Sequence, residues 1–255
     1  MNAMGEPSVL LLHGQPGSAE DWQRVRKAIG TRARAIAVNR PGWNGRDAPR
    51  GIVGNVHSAV SALDAEGIER ATVVGHSLGG AVAAWLAAEH PDRVSALVLA
   101  APSVNCASLN RLDRLLAAPV MGPLLSSAVL AGAGAALRTD ALRQRVALGL
   151  GLDEPYLRQV AEALLRPATW RAFASEQRML ISELPALERR LPSIATPTTV
   201  VAGSADRIVT PSSARQLATQ IPGAELVQLR GATHLLPQQR PAELAEIIVR
   251  ASAAG

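Results

Sequence analysis

The sequence contains few aromatic residues, one lysine and one cysteine. Aromatic side chains make up 2% of the 255 residues, so a core has to be built from leucine, valine, isoleucine and alanine. Lys27 is the only lysine, which leaves arginine to supply nearly all of the positive charge. Because Cys106 is the only cysteine, the chain cannot form an internal disulfide or a cysteine-based metal site.

Runs of one charge and strongly apolar segments are also missing. The net charge is +5, but the arginines are dispersed and lack interleaved aromatic residues, so we expect no nucleic-acid partner. Residues 1–8 have neither the basic start nor the apolar stretch of a signal peptide, which predicts a cytoplasmic protein. The uncharged stretch Leu115–Leu137 is interrupted by proline and glycine and is rich in alanine, so we expect no membrane span.

Short apolar runs alternate with helical patterns along most of the chain, which predicts an α/β protein with a mostly parallel sheet. Six strands are predicted: Val9–Leu12, Arg34–Val38, Ala71–Val74, Val94–Leu99, Thr198–Val201 and Leu226–Leu229. Five helices flank them: Ala19–Ile29, Ile52–Glu66, Leu78–Glu89, Ser212–Gln220 and Pro241–Ala251. Ser18 and Asp21 form a capping-box pattern at the start of the first helix.

The alternation stops between about Asn105 and Leu191, where the pattern is helical throughout. Helices are predicted near Leu109–Leu116, Pro123–Leu137, Asp140–Leu148, Glu154–Leu165 and Thr169–Glu183. An all-helical block in such a chain indicates a lid over the carboxyl edge of the sheet, where open α/β sheets bind ligands. We therefore predict a core of residues 1–104 and 192–255 and a helical lid of residues 105–191.

The most informative motif is Gly75–Gly80, with the sequence GHSLGG. It follows the predicted strand Ala71–Val74 and opens the predicted helix Leu78–Glu89, so Ser77 lies at the apex of a strand–turn–helix unit. Such a sharp turn predicts a positive φ for the serine and favours glycine two residues before and two residues after it. The turn presents a hydroxyl at a helix N-terminus, which predicts a nucleophile. A plain glycine-rich turn is the alternative.

A serine nucleophile needs a base, and the base needs an orienting partner. His234 follows the last predicted strand, and Asp206 follows the strand before it. Both residues leave carboxyl ends of parallel strands, so we expect them at the same edge of the sheet as Ser77. The alternative role for Asp206 is to cap the turn that follows it.

Five motifs occur in the order found in the α/β-hydrolase superfamily, which the sequence resembles over most of its length. They are the HGQPG loop His13–Gly17, the turn Arg40–Gly45, the elbow Gly75–Gly80, the acid loop Gly203–Asp206 and the histidine loop Gly231–His234. Asn39 stands where the family usually has aspartate. Relatives usually begin with a β-hairpin, for which the residues before Val9 leave no room, so we expect a six-stranded sheet with an exposed edge.

The resemblance implies that Ser77 is the nucleophile, His234 the base and Asp206 its orienting partner. The implied reaction is hydrolysis of a carboxylic ester, thioester or lactone of a small molecule through an acyl-enzyme, without a cofactor or metal. The uncharged stretch Leu115–Leu137 suggests a lid with an apolar underside, and hence a small or medium apolar acyl or aryl group. Three alternatives remain: carbon–carbon bond hydrolysis, cofactor-free perhydrolase or lyase chemistry, and a non-catalytic ligand-binding protein.

The resemblance also implies an oxyanion hole formed by the backbone N–H groups of Leu78 and Gln15, since Pro16 has no N–H to donate. Trp43 and His76 are the candidates for contact with the substrate. We expect a monomer or a homodimer.

Overall fold

Six β-strands form one sheet in the computed structural model, which describes residues 6–254. The strands are β1 (Ser8–Leu12), β2 (Arg34–Val38), β3 (Ala71–His76), β4 (Val94–Ala100), β5 (Thr198–Gly203) and β6 (Glu225–Leu229). Their order is β2-β1-β3-β4-β5-β6, and all neighbouring strands are parallel. The predicted six-stranded sheet is confirmed, and β3, β4 and β5 continue one or two residues beyond their predicted carboxyl ends.

The inner strands are buried on both faces, whereas the edge strands β2 and β6 are partly exposed. Strands that helices cover on both sides need apolar residues at nearly every position, which explains the continuous apolar runs in the sequence. Alternate side chains of β1 point to opposite faces of the sheet. Val9 and Leu11 therefore join one apolar cluster, and Leu10 and Leu12 join the other.

Eleven helices are formed within residues 6–254. They are α1 (Gln23–Ile29), α2 (Ile52–Ala65), α3 (Leu78–Glu89), α4 (Arg111–Leu116), α5 (Met121–Arg138), α6 (Asp140–Leu150), α7 (Glu154–Leu164), α8 (Pro167–Glu188), α9 (Pro211–Gln220), α10 (Leu236–Gln239) and α11 (Pro241–Ala254). A 3-10 turn, Ala19–Trp22, precedes α1. The predicted capping box between Ser18 and Asp21 is present and caps the N-terminus of this turn. Residues of α1 and α11 cover one face of the sheet, and residues of α2, α3 and α9 cover the other.

The chain between β4 and β5 contains α4 to α8 and no strand, as the sequence pattern predicts for these described residues. The C-terminal half of α8 returns to the core, where Leu180, Leu184 and Leu187 join the apolar cluster on the α3 side of the sheet. The helical segment is thus anchored to the core through α8. The assignment of residues 105–191 as a separate lid stays a prediction.

Small residues allow α5 to pack closely against its neighbours. A Cβ atom at Gly134 would lie 2.9 Å from the carbonyl oxygen of Ala161 in α7. Large apolar side chains of the same uncharged stretch are exposed instead: Leu115, Val120, Met121, Leu124 and Val129. The apolar underside that the sequence suggests for a lid stays a prediction. No helix within residues 6–254 is long and apolar enough to cross a membrane.

Two glycine-to-alanine substitutions are expected to change stability in opposite directions. A Cβ atom at Gly79 would overlap the backbone oxygen of Leu12, so Gly79→Ala should lower the free energy of unfolding by about 2–3 kcal/mol. The exposed Gly132 on α5 has no neighbour within 4 Å of where its Cβ would lie, so Gly132→Ala should raise that free energy by about 0.5–1 kcal/mol. Urea denaturation measures both changes, and a neutral Gly79→Ala would contradict the close packing.

Candidate active site

Ser77 lies between β3 and α3 with φ 52° and ψ −121°, so the positive φ expected from the sequence is present. Backbone hydrogen bonds from both sides hold it in this strained conformation. The Ser77 N–H donates to the Ala100 carbonyl at 3.0 Å, and the Ser77 carbonyl accepts from the Ser103 N–H at 3.1 Å. The serine is 7% exposed, so its hydroxyl lies in a nearly enclosed site.

His234 and Asp206 come together from the loops that follow β6 and β5. The distance between His234 Nδ1 and Asp206 Oδ2 is 2.9 Å. The other carboxylate oxygen, Asp206 Oδ1, accepts the backbone N–H groups of Ile208 and Val209 at 2.8 and 3.0 Å. Asp206 therefore caps the turn that follows it and also binds the histidine. The capping role and the orienting role considered from the sequence are thus compatible. Because an ionised carboxylate only accepts hydrogen bonds, His234 carries its proton on Nδ1 and leaves Nε2 as the basic nitrogen.

His76 links the serine elbow to the histidine loop. Its ring centroid lies 5.0 Å from that of His234, and its Nε2 lies 2.8 Å from the His234 carbonyl oxygen. Among the described residues, no hydrogen bond joins Ser77 Oγ to the His234 ring. Contacts of this type are often long without substrate and tighten when it binds. His76 thus lies against His234, and its predicted role in substrate contact stays a prediction.

Both buried histidines beside the elbow are neutral. Burial, with the nearby His234, lowers the pKa of His76 to about 3. Burial, with the nearby Arg40, also lowers the pKa of His13 well below its usual value. The Nε2 atom of His13 accepts the Arg40 N–H at 3.1 Å, so Nδ1 carries the proton and donates to the Gly14 carbonyl at 2.7 Å.

The two proposed oxyanion donors lie on separate segments beside Ser77. Leu78 is the first residue of α3, so its N–H has no acceptor within the helix. The HGQPG loop approaches from β1, and a Cβ atom at Gly14 would lie 2.9 Å from Ser77 Cβ. No acceptor among the described residues binds the backbone N–H of Gln15. Both N–H groups are therefore free to bind a ligand oxygen.

A buried ion pair beneath the HGQPG loop was not expected from the sequence. Arg40 binds Glu176 of α8, and their side chains are 2% and 1% exposed. Trp43 Nε1 donates to Glu176 Oε2 at 2.8 Å, so the half-buried Trp43 is tied to α8. Its predicted contact with substrate stays a prediction. Burial raises the pKa of Glu176, while Arg40 and Trp43 act against this by donating to the carboxylate.

A sequence signal for Glu176 does exist. The buried positions of α8 recur every three or four residues and include Ala172, Glu176, Leu180 and Leu184. A charged residue on the inward stripe of an amphipathic helix requires a buried partner. The pattern predicts that a partner exists, but it does not show which cation supplies it.

The next residue of α8 binds the side chain of Gln15. Gln15 Nε2 donates to Gln177 Oε1 at 2.5 Å, and Gln177 Nε2 donates to Asp113 Oδ1 of α4 at 3.1 Å. The HGQPG loop thus contacts α8 directly through Gln177, and indirectly through Arg40, which binds Glu176.

A cleft of about 880 Å³ lies between the start of α1 and the α6–α7 region, with Asp21, Arg24, Tyr156 and Gln238 among its lining residues. Neither Ser77 nor His234 lines this cleft.

Within residues 6–254, no three histidine, cysteine, aspartate or glutamate side chains are grouped as a metal site requires.

A parallel sheet that brings a serine, an aspartate and a histidine from separate strand ends to one edge is the architecture of the α/β-hydrolase fold. The chain belongs to the alpha/beta hydrolase family, whose model matches residues 9–247.

Three known proteins illustrate what the chain is similar to. An uncharacterized protein of Mycobacterium tuberculosis is 28% identical over an alignment of 265 positions. The alignment covers 96% of this chain and 74% of that protein. A 2-hydroxy-6-oxo-6-phenylhexa-2,4-dienoate hydrolase of Comamonas testosteroni is 37% identical over 111 residues, which cover 40% of this chain and 38% of that enzyme. The crystal structure of an enol-lactonase from Burkholderia xenovorans LB400 has a TM-score of 0.75 at 22% identity, covering 98% of this chain and 92% of the other.

His76 is expected to make the fold less stable as the pH falls. Its pKa is about 3 in the folded chain, against an ordinary value of 6.5, so between these values the unfolded chain binds the additional proton. Acid therefore favours unfolding. His76→Gln should reduce the slope of the unfolding free energy against pH by up to about 1.4 kcal/mol per pH unit between pH 6 and 4.

Urea denaturation at several pH values measures this slope, with His57→Gln on the exposed side of α2 as the matched control. Asp21, whose pKa burial raises from 3.8 to about 6, changes stability in the opposite sense over this range. The quantity to compare is therefore the difference between each variant and the wild type. Parallel curves for the wild type and His76→Gln would show that His76 is not a buried neutral histidine.

Proposed function

We propose that the chain is a serine hydrolase that cleaves a carboxylic ester, thioester or lactone through an acyl-enzyme on Ser77. The observation that carries this proposal is the 2.9 Å hydrogen bond between His234 Nδ1 and Asp206 Oδ2, beside the elbow that presents Ser77. A histidine oriented by a buried carboxylate has its Nε2 available as a general base. A plain glycine-rich turn would need neither partner.

In the first half of the proposed reaction, Ser77 Oγ attacks the carbonyl carbon and His234 Nε2 takes the hydroxyl proton. Asp206 stays ionised and stabilises the imidazolium that forms. The oxyanion accepts hydrogen bonds from the N–H groups of Gln15 and Leu78, each typically worth ~3–4 kcal/mol in the transition state. The tetrahedral intermediate then collapses, and the alcohol or thiol leaves with the proton from His234.

In the second half, a water molecule gives a proton to His234 while its oxygen attacks the acyl carbon. The same N–H groups stabilise the second oxyanion. Collapse breaks the bond between the acyl group and Ser77 Oγ, which recovers its proton from His234. The products are a carboxylic acid and the free enzyme.

The surroundings of the site support an apolar acyl or aryl group of small to medium size. Ser77 and His234 are nearly buried, at 7% and 8% exposed. Desolvating an apolar group in such a site is favourable, whereas desolvating an unpaired charge is not.

Carbon–carbon bond hydrolysis is the second candidate, favoured by the similarity to the dienoate hydrolase of Comamonas testosteroni. A dienoate substrate carries a carboxylate that needs a cationic partner. Arg40, the arginine beneath the HGQPG loop, already binds the Glu176 carboxylate and is not available to a substrate anion. Arg40 therefore gives no support to an anionic substrate.

Ser77→Ala should lower kcat for p-nitrophenyl butyrate by at least about 10³-fold, because the variant cannot form the acyl-enzyme. A fluorophosphonate probe should label the wild type at Ser77 and leave the variant unlabelled. Ser61→Ala, on the exposed face of α2, is the matched control and should behave as the wild type. Turnover unchanged in Ser77→Ala would disprove the mechanism, and a wild type that neither turns over nor labels would favour the ligand-binding alternative.

A pair of esters of equal length tests the substrate class. The kcat/KM for p-nitrophenyl butyrate should exceed that for p-nitrophenyl hemisuccinate by at least about 100-fold, because the terminal carboxylate of the latter would be desolvated without a partner. The same assay with 2-hydroxy-6-oxo-6-phenylhexa-2,4-dienoate tests carbon–carbon cleavage. Preference for the anionic ester would overturn the neutral substrate class, and faster turnover of the dienoate than of either ester would replace the first candidate with the second.

A further inference from the structure

Arg40 donates hydrogen bonds to two backbone carbonyls of the HGQPG loop. Its Nε donates to the His13 carbonyl and its Nη2 donates to the Gly14 carbonyl, both at 2.9 Å. The guanidinium is held in turn by Glu176: Nη1 binds Oε1 of the carboxylate, and Nη2 binds Oε2 at 3.1 Å. One planar group thus connects two loop carbonyls with one carboxylate of α8.

The direction of the Gln15 N–H follows from these contacts. The carbonyl of Gly14 and the N–H of Gln15 belong to one planar peptide group, and in a trans peptide they point in opposite directions. Arg40 Nη2 and His13 Nδ1 both donate to the Gly14 oxygen, which fixes that oxygen on the Arg40 side. The N–H of Gln15 must therefore point away from Arg40.

The same peptide group lies against the elbow. A Cβ atom at Gly14 would be 2.9 Å from Ser77 Cβ and 3.0 Å from His76 Nδ1, so the loop backbone touches the elbow directly. The Gln15 N–H has no acceptor among the described residues. A peptide held by its oxygen, with a free N–H beside the serine, has the geometry of a preformed oxyanion donor.

Glu176 is the group that keeps Arg40 in this position. The carboxylate and the guanidinium are nearly fully buried, and Trp43 Nε1 donates to the same carboxylate. A buried guanidinium without its carboxylate would move toward other acceptors or toward water. Arg40 would then release the Gly14 carbonyl, and the peptide group could rotate.

We propose that Glu176 is a positioning residue that acts through Arg40 to orient the Gln15 N–H toward the oxyanion. This inference rests on the proposed function. If Glu176 acts in this way, oxyanion stabilisation depends on how α8, a helix of the segment between β4 and β5, is positioned on the core. The adjacent Gln177 binds the Gln15 side chain, so α8 also contacts the same loop directly.

Glu176→Gln tests the proposal because it removes the charge and retains the shape of the side chain. We expect kcat for p-nitrophenyl butyrate to fall by about 10–100-fold, with KM changed less than about threefold, since the oxyanion exists only after attack. The affinity for an alkyl trifluoromethyl ketone, which forms an oxyanion on Ser77, should weaken by a similar factor. A loss of packing alone would lower stability without this parallel loss.

Glu183→Gln on the same helix is the matched control. Glu183 accepts the backbone N–H groups of Ile52 and Val53 and has no contact with the HGQPG loop. The Glu183→Gln variant should change the free energy of unfolding measured in urea, and it should leave kcat and the affinity for the ketone as in the wild type. Arg40→Lys is the second variant in case Glu176→Gln does not fold: it keeps the charge but lacks the fork that holds two carbonyls, so it should show the same parallel loss.

Wild-type turnover and labelling of Ser77 are measured first, and their absence would overturn the proposed function together with this inference. With an active wild type, unchanged kcat and ketone affinity in Glu176→Gln, or in Arg40→Lys where only that variant folds, would overturn the inference alone. A change confined to KM would overturn it as well.

Discussion

The close crossing of α3 over the carboxyl ends of β1 and β3 is the constraint on which the rest of the structure depends. Gly75 and Gly79 allow backbone to touch backbone, since a Cβ atom at either position would overlap main-chain atoms. At this crossing Ser77 has a positive φ, and the end of β4 holds it there through the Ala100 carbonyl. The strain is local, and it places a hydroxyl beside the free N–H of Leu78.

Two buried carboxylates lie in and beside the candidate site, and they are held by contacts of different kinds. Asp206 and His234 come from neighbouring strand ends, so their contact is a consequence of sheet order. Glu176 and Arg40 come from α8 and from the loop after β2, so their contact joins the helical segment to the core. A buried charge is stable only with a partner and with its remaining hydrogen bonds satisfied, and both carboxylates meet this condition.

The fold was largely predictable from the sequence because its signals are local. Inner strands buried on both faces require continuous apolar runs, and β3 and β4 show them plainly. The order of β5, Asp206, β6 and His234 along the chain was enough to predict that the two side chains share one edge. The helix α5 was predicted, but its buried face was not, because composition does not show which face of a helix is buried. Its small residues pack inward, and several of its large apolar residues are exposed.

The sequence by itself determined the individual strands, the strained serine turn and the two strand ends that carry Asp206 and His234, because each depends on residues close together in the chain. Only the tertiary structure decided that Glu176 pairs with Arg40 across 136 positions, that His76 supports His234, and that α8 touches the HGQPG loop. Such contacts depend on how a helix is rotated and seated on the core. Many distant side chains set that seating jointly, and no local pattern encodes it.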